Sequence, residues 1–240
     1  MTIQPSIGSK TVTDQRESVI ITRMSHSSWF KIAWGRKTIH IDPGFSGLFE
    51  NQHVPEKELE SGADYVLISH CHKDHLRPEM IERICGPDTI LVGPACCTDL
   101  LGSRCRIVRP GDAVTFGDFG LATVHAYNTP EGHSTRKGHP RGEFVGFVLT
   151  LAGIRMYFAG DTDFIPEMAG LGPIDIAFLP IGGTYVMDPE EATLAVAVIR
   201  PIRVIPMHQA DHDMVHFREL VQRITAAEVI LLDVGNYVSI

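Results

Sequence analysis

Three histidines and one aspartate lie within six residues of this chain, just after a short apolar run. The run covers residues 65–68 and predicts a buried strand, and it is followed by His70, His72, Asp74 and His75. Imidazole nitrogen and carboxylate oxygen are the ligands that borderline divalent metals prefer. In an extended segment His70 and His72 project to the same side, and a turn into a helix would direct the other two side chains elsewhere. The spacing therefore favours two adjacent metal positions.

Other polar residues stand where further apolar runs end. Asp161 lies in a Gly-Asp-Thr segment after the run 154–158, His208 ends a run that begins at residue 203, and Tyr185 follows two glycines and a threonine. Strand ends are where a rigid scaffold presents side chains to a cleft. We therefore expect these residues to meet the first cluster in space.

Taken in chain order, the His-Cys-His-Lys-Asp-His motif, the Gly-Asp-Thr segment and the Pro-Met-His segment ending at His208 resemble the signature of the metallo-β-lactamase superfamily. With Ile-Asp-Pro around Asp42 and the segment 179–185, they are similar to its lactonase-like branch, which includes L-ascorbate-6-phosphate lactonases. The resemblance runs from about Val19 to the C-terminus. It implies an α/β (α+β) fold, a four-layer αβ/βα sandwich in which two mixed sheets pack face to face between helices.

The resemblance also implies two divalent metal ions, zinc by default and manganese as the other option. Each ion needs about three protein ligands, because a catalytic metal keeps an open position for water. The first ion would take His70 and His72, and the second would take Asp74, His75 and His208. Asp161 would bridge both ions, since a carboxylate has two oxygens. Asp42 and His26, near strand ends, are candidates for orienting these ligands.

The third ligand of the first ion departs from the family pattern. Many relatives have a histidine directly after the strand that here covers residues 122–127, but this chain has Asn128. The following loop, residues 128–143, offers His133 and His139, and its glycine, proline and charge predict a lid. A His-Pro-Arg-Gly turn begins at His139 and resembles the His-Pro-Lys-Gly turn of one subgroup. We therefore expect His139 as the ligand, with His133 as the alternative.

Size and composition bound the remaining possibilities. A length of 240 residues favours one domain, which we place at residues 18–240 after a polar, flexible tail of residues 1–17. A net charge of −8 argues against a nucleic-acid surface. No apolar run approaches the length of a membrane span, and the first residues lack a secretory layout. With five cysteines and no CxxC pair, we expect a cytoplasmic protein, and a homo-oligomer stays possible.

These observations predict a metal-dependent hydrolase that cleaves a small ester, lactone or amide with a metal-activated hydroxide. Asp74 would orient the hydroxide and accept its proton. Tyr185 would stabilise the developing oxyanion, or would only pack beneath the glycine turn. A phosphodiesterase or nuclease of the same fold is an alternative that the acidic charge disfavours. A non-catalytic metal-binding domain is another, although structural sites are usually closed and rich in cysteine.

Overall fold

The structure is a computed structural model that describes residues 18–47, 54–117 and 119–240. The predicted tail of residues 1–17 lies outside these ranges. Within them the chain folds into two seven-stranded sheets. None of the helices described is long and apolar enough to cross a membrane.

The first sheet is built mainly from the N-terminal part of the chain. Its strands are β1 (Val19–Arg23), β2 (Phe30–Trp34), β3 (Lys37–Ile41), β4 (Ala63–Leu67), β5 (Cys85–Gly93), β6 (Cys105–Ile107) and β14 (Tyr237–Ser239). They are ordered β14-β1-β2-β3-β4-β5-β6. The pairs from β14 to β3 are antiparallel and those from β3 to β6 are parallel, so the sheet is mixed.

The second sheet repeats this division into an antiparallel and a parallel part. Its strands are β7 (Ala113–Phe116), β8 (Phe119–Ala126), β9 (Phe144–Leu151), β10 (Ile154–Phe158), β11 (Ile176–Pro180), β12 (Arg203–Met207) and β13 (Glu228–Val229). They are ordered β13-β12-β11-β10-β9-β8-β7. Strands β10 to β13 are parallel, so their carboxyl ends meet at one edge of the sheet.

The helices are α1 (Glu56–Leu59), α2 (Pro78–Ile84), α3 (Thr98–Leu101), α4 (Pro189–Ile199) and α5 (Met214–Ile224). Short 3₁₀ segments lie at Ala95–Cys97, Gly102–Arg104 and Pro166–Gly170. Asp188 as an N-cap, followed by proline and two acidic residues, predicts a helix over residues 189–199. Helix α4 has these bounds, and the side chain of Asp188 caps it by accepting from Glu191 N. The sequence also predicts a helix over residues 94–101, which follows a strand, and the structure divides it into a 3₁₀ turn and α3.

Burial along β4 shows how the layers are arranged. Tyr65 and Leu67 join the core shared by the two sheets, whereas Val66 joins a second cluster that contains the buried residues of α1 and α2. Side chains on alternate positions of a strand face opposite sides, so both faces of this sheet are covered. Across the inner layer, the rings of Tyr65 and Phe119 lie 4.8 Å apart. The predicted four-layer sandwich is confirmed.

Candidate metal centre

Four separate segments bring their polar side chains to one edge of the sandwich. His70 follows β4, Asp161 follows β10, His208 follows β12, and His139 lies in the loop between β8 and β9. Three overlapping groups have their ligand atoms within 4.8 Å of one another: His70, His72 and His139; His70, His75 and Asp161; and Asp74, His75 and His208. The structure thus brings together every residue that the sequence assigned as a metal ligand.

The carboxylate of Asp161 lies at the middle of this cluster. Its Oδ2 is 3.4 Å from Nε2 of His139, 3.4 Å from Nε2 of His208 and 4.0 Å from Nε2 of His70. Its Oδ1 is 3.2 Å from Nε2 of His75. One carboxylate therefore contacts both halves of the centre, which is the arrangement a bridging ligand requires.

His139, rather than His133, accompanies His70 and His72. The side chain of His139 is buried, and its ring centroid lies 5.0 Å from that of His70 and 5.1 Å from that of His72. His133 is exposed instead, and its Nδ1 lies 2.8 Å from Oδ2 of Asp188 at the start of α4. The geometry therefore supports the choice that the turn sequence suggested.

Four buried atoms of the centre form no hydrogen bond within the described residues: Nε2 of His70, His75 and His139, and Oδ1 of Asp161, although this oxygen lies 3.2 Å from Nε2 of His75. Buried polar atoms are nearly always paired, and exceptions call for an explanation such as an ion. A divalent cation between these nitrogens and oxygens would satisfy them, and imidazole with carboxylate is a suitable donor set for it. The residues present therefore fit a metal.

A buried carboxylate beneath the centre fixes the ring of His75. Oδ2 of Asp42 is 2.7 Å from Nδ1 of His75, and it also accepts from the hydroxyl of Ser69 at 2.6 Å. Oδ1 of Asp42 accepts from Ser69 N. Nδ1 is engaged by this carboxylate, so Nε2 of His75 is the nitrogen that faces Asp161, as expected for a metal ligand. The suggestion that Asp42 orients a ligand agrees with these contacts.

Asn128 plays the corresponding part for His139. Its Oδ1 accepts from His139 N at 2.9 Å and lies 3.1 Å from Nδ1 of the same residue, whose ring also approaches the carbonyl oxygen of Tyr185 at 3.2 Å. Nδ2 of Asn128 donates to that carbonyl at 2.8 Å. The residue that occupies the family's histidine position therefore positions a histidine supplied from eleven residues further along the chain.

The charges of the centre shift the pKa values of its members in opposite directions. Burial lowers the pKa of His70 well below its usual range, and burial also lowers the pKa of His139. Burial disfavours the charged form of His75 too, but the neighbouring carboxylates, led by Asp161, outweigh it and raise its pKa well above normal. Burial raises the pKa of Asp161, but His208 and His75 together hold it well below normal. A cation binding here competes with protons, so its affinity falls as the pH is lowered.

The loop of residues 128–143, which we call the histidine loop, is bonded to the body of the protein at several points. Nζ of Lys137 donates to the buried carboxylate of Asp163 at 3.1 Å. The backbone N–H of His133 donates to Glu191 at 3.1 Å. With His139 at the centre, the loop forms one wall of the site in this structure, and its role as a lid stays a prediction.

Tyr185 lies at the rim of the centre and belongs to none of the three ligand groups. Its side chain is 38% exposed, and its ring lies edge-on to that of His139 with centroids 6.3 Å apart. Its hydroxyl accepts a hydrogen bond from Nη1 of Arg136 at 2.9 Å. Tyr185 thus packs beside the glycine turn and also keeps its hydroxyl at the surface of the site.

Sequence reasoning missed the long-range contacts that place His208. This residue has a left-handed backbone with φ of 48°, and its N–H donates to Ser27 O at 3.1 Å. A Cβ at Gly182 would collide with the carbonyl oxygen of His208, so that approach requires glycine. Next to His208 in the chain, the side chain of Gln209 accepts a hydrogen bond from the buried guanidinium of Arg23. The Gly-Gly pair before Tyr185 was the one visible signal of this close packing.

Comparison with known proteins identifies the family. The profile of the β-lactamase superfamily domain matches residues 20–208. A UPF0173 metal-dependent hydrolase of Thermococcus kodakarensis is 33% identical over 212 residues, which is 84% of this chain and 92% of that protein. The structure of a metallo hydrolase from Ignicoccus hospitalis is 28% identical with a TM-score of 0.75, covering 93% of this chain and 98% of that one.

A metallo-β-lactamase fold protein of Bacillus subtilis shares the fold, with a TM-score of 0.72 at 13% identity over 93% of this chain and 99% of that one. The fold, the clustered histidines and carboxylates, and the sequence matches agree with one another. The chain therefore belongs to the metallo-β-lactamase superfamily, among its UPF0173 metal-dependent hydrolases.

Proposed function

We propose that this metal-dependent hydrolase cleaves a small ester, lactone or amide with two divalent ions held at the centre. The observation that carries the proposal is the carboxylate of Asp161, which lies between two sets of imidazoles, with its buried Oδ1 making no hydrogen bond among the described residues. His70, His72 and His139 would hold one ion, and Asp74, His75 and His208 would hold the other. Asp161 would bridge them.

Zinc is the expected metal and manganese is the second choice. All proposed ligand atoms are imidazole nitrogens or carboxylate oxygens, and the five cysteines of the chain are free thiols outside the three ligand groups. A donor set without thiolate suits borderline to hard cations. When bound, the ions would supply a Lewis acid and a source of hydroxide near neutral pH.

Asp74 is the residue suited to handle the proton of the attacking water. It is only partly buried, so it is within reach of solvent, and its Oδ2 lies 3.1 Å from Nε2 of His208. Burial raises the pKa of Asp74, but the charges of His75 and His208 outweigh burial and lower it well below normal. The group is therefore an anion at neutral pH that can orient a water molecule by accepting a hydrogen bond from it. Its low pKa makes it a weak base, so it would hold the proton of that water only while passing it to the leaving group.

Tyr185 is suited to donate to the oxygen that gains charge during the reaction. Its hydroxyl oxygen accepts from Arg136, which leaves its own proton free for a substrate. A donor of this kind at the rim would bind the transition state more strongly than the ground state. The roles of Asp74 and Tyr185 together with the metal ligands describe acyl transfer to water, and the similarity to the lactonase-like branch favours a lactone among possible substrates.

The proposal is tested by measuring metal content and turnover in the same preparations. Purified protein should contain close to two equivalents of zinc or manganese and should hydrolyse members of a panel of lactones, esters and amides. Asp161→Ala should lose at least one equivalent, and His72→Ala, at an exposed position, should lose metal without loss of fold. Turnover should fall at least about 100-fold in both variants. His216→Ala serves as the control, since that histidine is exposed and lies outside the ligand groups.

Two results would contradict the proposal. Unchanged metal content in Asp161→Ala would remove the bridging role. A fully loaded protein that cleaves phosphodiesters but none of the lactones, esters or amides would move the assignment to the phosphodiesterase alternative.

A further inference from the structure

The three basic side chains in the middle of the histidine loop differ in their partners. Lys137 donates to the buried Asp163 at 3.1 Å, and Arg141 donates to Glu167 at 2.8 Å. Arg136 forms no salt bridge with a carboxylate in the part of the chain that the structure describes. Two of the three positive charges are therefore neutralised by carboxylates, whereas that of Arg136 has no such partner among residues 18–47, 54–117 and 119–240.

Arg136 is nevertheless held in a defined place. Its backbone N–H donates to Thr184 O at 2.7 Å, and that of Thr135 donates to Gly183 O at 3.0 Å, so this part of the loop is joined to the glycine turn. Its Nη1 donates to the hydroxyl of Tyr185, and its Cζ lies 5.7 Å from the centroid of that ring. Both backbone and side chain thus fix the guanidinium above Tyr185.

Tyr185 in turn connects Arg136 to the metal centre. The ring of Tyr185 packs edge-on against His139, and a Cβ at Gly138 would lie only 3.2 Å from its Cδ1. The carbonyl of Tyr185 lies 3.2 Å from Nδ1 of His139. The guanidinium is therefore separated from a proposed metal ligand by the thickness of one side chain, a distance that a small molecule can span.

The charge of Arg136 suits the binding of an anion. A guanidinium has five N–H donors in a planar fork that matches carboxylate and phosphate groups, and the described residues engage one of them, through the hydroxyl of Tyr185. The protein as a whole carries a formal charge of −8 and repels anions at long range. Beside the centre, the positive charge of Arg136, which no carboxylate of the described residues pairs, provides local attraction for an anion.

We propose that Arg136 determines specificity by binding a second group of the substrate, a carboxylate or phosphate, while the bond to be cleaved lies at the metal centre. This inference rests on the proposed function, because it assumes that the substrate reacts at that centre. It narrows the substrate class to esters, lactones or amides that carry an anionic group at a distance from the scissile carbonyl. Tyr185 supports the guanidinium and sets that distance.

The test uses equilibrium binding, which does not depend on turnover. Zinc-loaded protein is titrated by calorimetry with linear dicarboxylates from succinate to suberate and with monocarboxylates of the same lengths. At least one dicarboxylate should bind about 10- to 100-fold more tightly than its monocarboxylate, as expected for one charge-assisted contact. Phosphonocarboxylates of the same lengths distinguish phosphate from carboxylate recognition.

Arg136→Gln should abolish this preference without changing metal content, and Arg136→Lys should keep part of it. Arg141→Gln is the matched control, since it removes a charge from the same loop and should keep the preference. Equal binding of the two ligand series by the wild-type protein, or a preference that survives Arg136→Gln, overturns the inference. If the preference follows Arg136 but no ester, lactone or amide is hydrolysed, the anion site stands and the proposed reaction fails.

Discussion

The Asp42→Asn substitution tests how a buried carboxylate controls the metal centre. Asp42 is fully buried, and its two oxygens receive Ser69 N, the Ser69 hydroxyl and Nδ1 of His75 at 2.6 to 2.7 Å. An amide of the same shape keeps one oxygen but places an NH₂ group toward two of these donors. The hydroxyl can turn and accept, whereas His75 must move its proton from Nδ1 to Nε2 to accept there.

This change of tautomer places a proton on the nitrogen that we propose as a metal ligand. Loss of such an orienting partner typically costs 10- to 100-fold in metal affinity, or about 1.4–2.7 kcal/mol. The free energy of unfolding should fall by about 1–3 kcal/mol, because the shape is kept and one charge-assisted bond is lost. Asp42→Ala, which leaves three buried donors unpaired, should cost about 3–5 kcal/mol.

Two measurements separate these effects. Urea unfolding of chelator-treated protein gives the free energy of unfolding, and competition with a chelator gives the affinity for the second metal equivalent. Asp175→Asn is the control, since its Oδ2 accepts only a backbone N–H, from Arg155, away from the centre. Wild-type affinity for the second equivalent in Asp42→Asn would refute the argument from the tautomer, whatever its stability.

Three further predictions concern the surroundings of the centre. Burial lowers the pKa of His40 to about 3, so between about 6.5 and 3 only the unfolded chain takes up its proton and stability falls as the pH falls. His40→Asn keeps an acceptor for Trp29. When the free energy of unfolding is measured in urea from pH 6.5 to 4, its slope against pH should be smaller in this variant by about 1.4 kcal/mol per pH unit. An unchanged slope would contradict the burial argument. Gly182→Ala should destabilise the fold by about 1–3 kcal/mol and weaken binding of the metal that we assign to His208, measured by unfolding and by chelator competition, whereas unchanged affinity would show that the turn can relax. Arg23→Met removes a buried guanidinium that donates to several backbone carbonyls, and should cost about 3–5 kcal/mol in urea unfolding; a loss under 1 kcal/mol would show that these carbonyls find other partners.

Local sequence signals predicted those parts of the fold that local physics determines. Helix α4 was found at its predicted bounds, because Asp188 and Pro189 begin it in any context that permits a helix. The short edge strand β14 was not predicted. Its residues are mostly exposed, and it exists as a strand only by pairing with β1 at the far end of the chain. Pairing of that kind leaves no periodic pattern in a segment as short and exposed as β14.

The residues of the metal centre likewise differ in how well local sequence predicted them. His70, His72, Asp74 and His75 could be placed from one motif, because four residues within six positions of the turn after β4 stay close together in space. His139 needed the family resemblance, since its loop has no regular pattern. Asn128 was noticed only as a departure, although it holds His139 in place through contacts with both its backbone and its ring. The contact depends on how the loop folds back on itself, and the identity of Asn128 alone does not reveal that fold.

The backbone at His208 shows why a histidine at a strand end is weak evidence for a ligand by itself. A left-handed conformation costs a non-glycine residue about 1–2 kcal/mol, so it persists only where the surroundings enforce it. Here the carbonyl of Ser27 and the space left by Gly182 do so, and the result directs Nε2 toward Asp74 and Asp161. Because Ser27 acts through its backbone, its side chain should be replaceable, whereas Gly182 should not. The strained backbone of His208 is therefore held by the segments around Ser27 and Gly182. Their packing, more than the presence of a histidine, indicates a functional position.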